Sequence, residues 1–475
     1  MITDEKDLRI ALLEKRNAEL EARVAELEKL VAELTERLNR NSQNSSKPPS
    51  ADSPWQKPKP KFGLGKKRKK GGQPGHTKNE RALVPIEEVD TVVPVKPERC
   101  RKCGKDLLGD DPDPTRHQVL DIPRIHALCT EYQMHALSCT CGAVTRAVLP
   151  PGVPRVAFGP SLMALVCLLS GKFHLSKRAL KEFLADVLGT EVALGSVSNI
   201  EQQMSAALEA PVAEARLFVR AQPAVNIDET GWRECNKRAW LWAVVTPLVT
   251  VFHVVRSRAA KVAKELLSEN FAGQVGSDRC KSYDWIPAVQ RQLCWAHLIR
   301  DFTAMTERAG YGHIIGRKLL KKTKRMFGLW WKARDGTLSR PEFRLKMRGI
   351  EAEVGKLLRQ GLTCNSPKTP ATCKDILRNE HALWTFVRVE GVEPTNNAAE
   401  RALRPAVLWR KQSFGTQSEA GSRFAERILT TVASLKAQRR QVLTYLTEAI
   451  DAHNRGAPAA SLLPTTLQTQ VAEVG

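Results

Sequence analysis

The stretch AVNIDETGWR, residues Ala224–Arg233, decides how this chain is read. Apolar residues lead into Asp228 and Glu229, and a small residue and a glycine follow, so it reads as a strand that ends by presenting a carboxylate at its tip. Bare acids there are unexpected, because the chain is strongly basic: 475 residues with a net charge of +23 and a pI near 9.7. Charge of that size, clustered, points to a polyanionic partner, and nucleic acid is the usual one. The length implies roughly two to four domains, and 42% hydrophobic residues suffice to bury their cores. No apolar run is long enough to span a bilayer, and MITDEKDLRI lacks a signal-peptide core, so a cytoplasmic protein with no membrane partner is expected. Eleven cysteines in a reducing compartment suggest metal before disulfide.

Outward from Ala224, RAWLWAVVT and VTVFHVV read as two more strands joined around Pro247, and RAAKVAKELLSENF reads as a helix. GQVGSDRC reads as a strand ending in Asp278, and RQLCWAHLIRDF runs from strand into helix. Three strands in series, then alternating strand and helix, predict a multidomain α/β chain whose catalytic core is RNase H-like. Residues 221–304 form its first part and 386–450 its second. Between them, 305–385 is helical and very basic, with RKLLKKTKRMFGLWWKAR as its clearest piece. Residues 155–220 are helical, and GSVSNIEQQ after a short turn resembles a helix-turn-helix, although a plain packing domain reads as well. The tail, 451–475, is expected to be loose from Ala457 on.

The N-terminal part has a different character. Ile10, Asn17, Val24, Val31 and Leu38 fall on one heptad position, and Leu13, Leu20, Leu27 and Leu34 on the other. β-Branched residues at a, leucine at d and one polar Asn17 predict a parallel dimeric coiled coil over residues 1–40. A basic Pro/Gly-rich linker, 41–84, follows, suited to holding phosphate backbones by charge. Residues 85–150 carry Cys100 and Cys103 in CRKCGKDL and Cys139 and Cys141 in LSCTCG. Four thiolates so spaced suit a structural Zn2+. The tight second pair leaves Cys129 and His135 as substitutes, and ordinary cysteines as the alternative.

In an α/β sheet, groups at the carboxyl ends of neighbouring strands converge on one crevice. Asp228 and Asp278 hold such positions, and Glu400 in PTNNAAERALRPAV opens a helix that brings a third acid. Clustered carboxylates repel one another unless cations neutralise them, and Mg2+ or Mn2+ prefers such hard oxygen ligands. Two ions there would activate a water or a 3′-hydroxyl for attack on phosphorus. The acids thus serve a substrate that is itself negative, while Lys and Arg hold the polymer. An Asp after a strand is also a common cap or turn residue.

Several long motifs in order resemble the transposases of the insertion sequence 66 family: NSSKPPS, GGQPGH, the paired cysteines, DET, SDR with SY, CWAHLIRDF, and PTNNAAERALRP with SFGTQSEAGSRFAER. The resemblance implies a DDE recombinase with a retroviral-integrase-like core, and Asp228, Asp278 and Glu400 as its metal-binding triad. It implies cleavage at transposon ends, then attack of the freed 3′-hydroxyl on target DNA. The partners implied are transposon-end and target DNA, a homodimer or larger synaptic assembly, and accessory proteins of the same element. It accounts for the long Asp278-to-Glu400 segment as a helical insertion. Related recombinases hold a pair like Cys294 and His297 beside the acids; a satisfied core pair is the alternative. Asn396 and Asn397 are expected to cap the Glu400 helix and orient its carboxylate. Arg401 and Arg404 follow, Arg404 on the face of Glu400, and Arg410, Lys411 and Arg423 are expected phosphate contacts. Trp232, Trp285 and Trp295 are expected in the core, or against a flipped base. Cys280 stands where a larger residue is expected. Glu229 and Asp284 are the acids most easily confused with the triad, and Glu229 should face away from Asp228. A metal-dependent nuclease on the same fold and a non-catalytic DNA-binding protein are the rival readings.

Overall fold

The strand that begins at Ala224 does not stop at its acids. In the computed structural model, which describes residues 2–45, 47, 52, 81–123, 125–151, 153, 156–308, 310–366 and 368–464, it runs on to Glu234. The reason lies in its partner: pairing with the next strand holds register from Asn226↔Val245 to Glu234↔Lys237. Cys235 and Asn236, both at positive φ, form the tight turn between them. Asp228 is therefore a mid-strand residue, its carboxylate lifted off the sheet face instead of off a strand tip.

The chain begins with α1 (Ile2–Asn39). A small hairpin, β1 (Ala136–Ser138) and β2 (Val144–Arg146), follows in a stretch whose side chains are almost all exposed. Four helices come next: α2 (Pro160–Gly171), α3 (Lys177–Leu188), α4 (Leu194–Ala207) and α5 (Glu209–Arg220). The sheet is β3 (Ala224–Glu234), β4 (Lys237–Val245), β5 (Thr250–Val255), β6 (Gln274–Ser277) and β7 (Arg291–Leu293), with α6 (Ala260–Leu267) crossing from β5 to β6. Helices α7 (Trp295–Thr306), α8 (Tyr311–Arg334), α9 (Arg340–Gly361), α10 (Thr369–Leu377) and α11 (Thr385–Arg388) form an insertion. The chain then returns with α12 (Asn397–Ser413), α13 (Glu419–Ala437) and α14 (Val442–Asn454).

The strands lie in the order β5-β4-β3-β6-β7. The hairpin-linked pairs are antiparallel, while β3–β6 and β6–β7 are parallel. Alternation divides the sheet. Trp232, Ala239, Leu241, Ala243, Phe252 and Val254 pack under Ala399, Leu403 and Ala406 of α12. Val225, Ile227, Trp242, Val244 and Val251 pack on the other side with α2, α4, α5 and α6. That second core is continuous from Met163 through the sheet to Ile450, so helices α2–α5 share it and have no core of their own. Helix α4 holds no Lys or Arg and is buried at Val197, Ile200 and Met204 against α2, α13 and α14. It is thus a packing helix in this arrangement, without the cations of a DNA-reading one.

Strand β5 would be a bare edge, with N–H groups open to another strand. Helix α13 covers it with side chains four residues apart. Thr430 Oγ1 accepts from Phe252 N at 3.0 Å, Ser434 Oγ from Thr250 N at 3.1 Å, and Glu426 Oε1 from Val254 N. The insertion has its own core, rooted in Leu293 and Trp295 and filled by Phe302, Leu319, Phe343 and Leu358. The tail departs from expectation. Up to residue 464 it is docked: Leu462 is fully buried, and its carbonyl accepts from Gln438 Nε2 at 2.8 Å. Residues 465–475 and most of the basic linker, 53–80, lie outside the described residues.

Candidate active site

Three backbone segments meet around Asn396. Strand β6 ends at Ser277, paired with Leu293 of β7, and Cys294 N donates to the Ser277 carbonyl at 3.0 Å. Cys294 Sγ accepts from Asn396 N at 3.1 Å, and Trp295 N donates to the Pro394 carbonyl at 2.9 Å. Asn396 Nδ2 in turn donates to the Ile227 carbonyl at 2.8 Å. The head of α12 is thereby tied both to β3, one residue before Asp228, and to the β7–α7 junction beside Asp278.

Those ties bring Asp278 and Glu400 near enough for their charges to act on Asp228, although the three carboxylates do not form a group with all ligand atoms within 4.8 Å. Asp228 is half-buried, and its carboxyl is held well above the usual carboxylate range, first by burial and then by the charges of Asp278, Glu229 and Glu400. Its Oδ1 accepts from Glu229 N at 3.0 Å. Asp278 follows β6 directly, and its Oδ1 accepts from Cys280 N at 2.8 Å. Glu400 sits in the first turn of α12, 3.2 Å from His297 Nε2 and 3.8 Å from Arg300 Nη2. The His297 hydrogen bond leads in drawing Glu400 below the ordinary glutamate range. Ligand atoms of Cys294, His297 and Glu400 lie within 4.8 Å of one another, the one such metal-competent trio among the described residues. Burial pushes the Cys294 thiol up to about 11, so it is a neutral hydrogen-bonding group here.

Glu229 faces the other side of the sheet. It is buried, with Arg258 Nε 2.6 Å away and the Tyr283 hydroxyl donating to it. Burial raises its carboxyl against the pull of Tyr283 and Arg258. Asp284 pairs with Arg291 at 3.2 Å. Arg291, which no motif marks, is 1% exposed and clamps the Asp278 segment. Its Nη2 donates to the Asp278 carbonyl at 2.7 Å, and its Nε to Ser277 Oγ at 3.0 Å. A lone arginine heading a three-residue strand gives no sequence signal of that role.

Several expected roles change. Asn396 occupies the N-cap position but its side chain makes no cap bond: its Nδ2 is turned onto the Ile227 carbonyl, and its Oδ1 is buried without a hydrogen-bond partner among the described residues. Asn397 is the first helical residue and likewise offers no cap. Arg410 reaches Thr230 Oγ1 at 3.3 Å and the Gly231 carbonyl, and Arg423 pairs with Glu426 at 2.9 Å and donates to the Val254 carbonyl at 2.8 Å. Both guanidiniums thus hold the fold, whereas Arg401, Arg404 and Lys411 stand exposed along α12. Trp232 and Trp295 are buried, their indole N–H groups given to Thr416 Oγ1 at 3.2 Å and the Leu383 carbonyl at 2.8 Å. Trp285 is partly buried beneath Lys264. Half-buried Cys280 lies 3.4 Å from Ser282 Oγ.

The four N-terminal cysteines stand in two separate knuckles. Gly104 N donates to the Cys100 carbonyl at 2.9 Å and Gly142 N to the Cys139 carbonyl at 2.9 Å, each glycine at positive φ. The two pairs are not drawn into one group. This stretch buries almost no side chain, so packing supplies no force to bring them together.

The chain thus combines a mixed α/β fold, acids set over and beside its sheet, and a net charge of +23. The family described as Transposase IS66 family matches residues 155–424, more than half of the chain, and a family of unknown function matches residues 3–82. An uncharacterized protein, y4qI, of Sinorhizobium fredii (strain NBRC 101917 / NGR234) is 23% identical over 418 residues, covering 79% of this chain and 74% of its own. The chain belongs to the IS66 family of transposases, proteins that process DNA. No helix among the described residues is long and apolar enough to cross a membrane.

Proposed function

We propose that the chain is a DDE transposase whose sheet is an RNase H-like core and whose Asp228, Asp278 and Glu400 hold divalent metal. The observation that carries this is the raised Asp228 carboxyl, held up first by burial and then by the charges of Asp278, Glu229 and Glu400, which a cation in the crevice would offset. The strand order, three antiparallel strands and then two parallel ones, supports the core assignment. The donor set is hard oxygen, which fits Mg2+ or Mn2+. Bound there, two ions would polarise the scissile phosphate and lower the pKa of an attacking oxygen.

The chain's own groups do the rest. Asn396 fixes Glu400 against Asp228, and Arg291 fixes the segment carrying Asp278. His297 holds the Glu400 carboxylate in its ionised form. Arg401, Arg404 and Lys411 are free to meet phosphates. Water attacks phosphorus at the element end, the P–O3′ bond breaks, and the leaving 3′-oxygen takes up a proton. The new 3′-hydroxyl then attacks a target phosphate, joining the strands as a second 3′-oxygen leaves.

The reading extends to assembly. Every apolar a and d side chain of α1 is exposed in the single chain. Arg9, Arg16 and Arg23 occupy g, and Glu14, Glu21 and Glu28 occupy e, five residues on. A parallel pair sets each arginine beside a glutamate of the other helix, whereas an antiparallel pair sets arginine beside arginine. We take the dimer as parallel, and the Cys100, Cys103, Cys139 and Cys141 knuckles as a zinc module that closes when the ion supplies the missing force.

The deciding experiment is end cleavage. Purified protein and the variants Asp228→Asn, Asp278→Asn and Glu400→Gln are incubated with labelled DNA carrying the element's ends, with and without Mg2+. Metal-dependent nicking by the parent, lost in all three variants while binding persists, is expected. Undiminished nicking by any one of them removes that residue from the triad.

A further inference from the structure

Helix α8 holds no acidic residue. Its inner side, with Ile315, Leu319, Met326 and Trp330, is buried against α7 and α9. Its outer side presents Arg317, Lys318, Lys321, Lys324 and Arg325, all exposed. Among the described residues the first four have no ion-pair partner, and Arg325 feels only Glu353, which Lys322 already holds. Ile314, 42% exposed, begins the row, and Trp331, 52% exposed, ends it.

An ordinary solvated helix face mixes signs, with acids and bases paired four residues apart. Here Arg317 and Lys321, and Lys321 and Arg325, are like charges at that spacing, each pair costing a few tenths of a kcal/mol. A polyanion laid along the row relieves that repulsion. From Ile314 to Trp331 the row spans about 25 Å at 1.5 Å per residue, the axial length of about seven base pairs. The platform is firm, because the insertion's core includes Leu293 and Trp295 at the root of α7, the helix that carries His297. A nucleic acid held by α8 is therefore held by a body built onto the carboxylate crevice.

We propose that the outer face of α8 is a duplex-DNA contact, with the five cations on phosphates and Trp331 against the sugar-base edge at the end of the row. The proposal rests on reading the crevice as a site that cuts DNA.

The test replaces Arg317, Lys318, Lys321, Lys324 and Arg325 together with Gln in the full chain. Affinity for a 40-base-pair duplex is measured across a salt series without added Mg2+, with far-UV circular dichroism and melting to verify the fold. Five lost phosphate contacts lower the slope of log K against log salt by about 4 to 5. Trp331→Ala weakens binding and leaves that slope unchanged. A folded quintuple variant with the parent's slope overturns the proposal, and so does a parent that leaves the duplex unbound at low salt. Nicking in Mg2+ at saturating protein separates the two readings. A parent that binds with the steep slope yet never nicks, alone or with the element's accessory proteins, overturns the catalytic reading and leaves α8 standing. A nicking parent whose quintuple variant keeps its slope does the reverse.

Discussion

Asn396, 1% exposed at the head of α12, donates from Nδ2 to the Ile227 carbonyl 2.8 Å away, one residue before Asp228. One amide thus sets the spacing between two acids that lie far apart in sequence. Asn396→Ala leaves that carbonyl without its donor and should cost about 1–3 kcal/mol in urea unfolding. The same variant should lower end cleavage more than DNA binding, because Glu400 loses its reference to β3. Unfolding within about 0.3 kcal/mol of the parent would show that the tether is idle.

Asp228→Asn should stabilise the metal-free protein. The carboxyl is raised in the fold, so its ionisation opposes folding. Stability tied to the protonated form is present below the ordinary aspartate pKa and is lost as pH rises through the raised one. The melting temperature of the Asn variant should exceed the parent's at pH 8, and the gap should close toward pH 4. Mg2+ should stabilise the parent alone, by about 2.7 kcal/mol at a hundred times its Kd. Equal Mg2+ stabilisation of both proteins would place the ion elsewhere.

Sedimentation tests the N-terminal helix. Leu20→Asp with Leu27→Asp should convert a dimer to a monomer, since two charges would enter the apolar seam. Asn17→Val should raise the melting temperature of the α1 coiled coil while loosening its choice of oligomer. A parent that sediments as a monomer at micromolar concentration would refute the parallel dimer.

Zinc content tests the knuckles. One Zn2+ per chain is expected by elemental analysis, lost when Cys100→Ser is combined with Cys139→Ser. Cys294, buried and with its thiol raised to about 11, should resist iodoacetamide at pH 8 while exposed Cys235 reacts. Retention of stoichiometric zinc in the double variant would assign the ion to other ligands.

Thr430→Val removes the acceptor that covers Phe252 N on the edge strand and keeps the shape of the side chain. A buried donor left unsatisfied costs about 1–3 kcal/mol. Unfolding by urea should show that loss, and aggregation on heating should begin earlier, because β5 regains an open edge.

The sequence by itself determined the strand and helix series from Ala224 to Thr306, the heptads of α1 and the helical nature of the insertion. Each of these rests on local periodicity, which is written into consecutive residues. It also nominated Asp228, Asp278 and Glu400, since a carboxylate beside an apolar strand or at a helix start stands out. What lay beyond reach depended on partners distant in the chain. Whether Arg410 and Arg423 meet phosphate or backbone turned on Gly231 and Val254, well over a hundred residues away. Asn396 looked like a cap because its neighbours form a helix, and only the approach of Ile227 redirected its amide. Leu462 looked unanchored until Gln438 and the core enclosed its segment. Periodicity fixes which side of an element is apolar; tertiary structure alone decides which polar group is desolvated, and a desolvated group must take whichever partner packing brings to it.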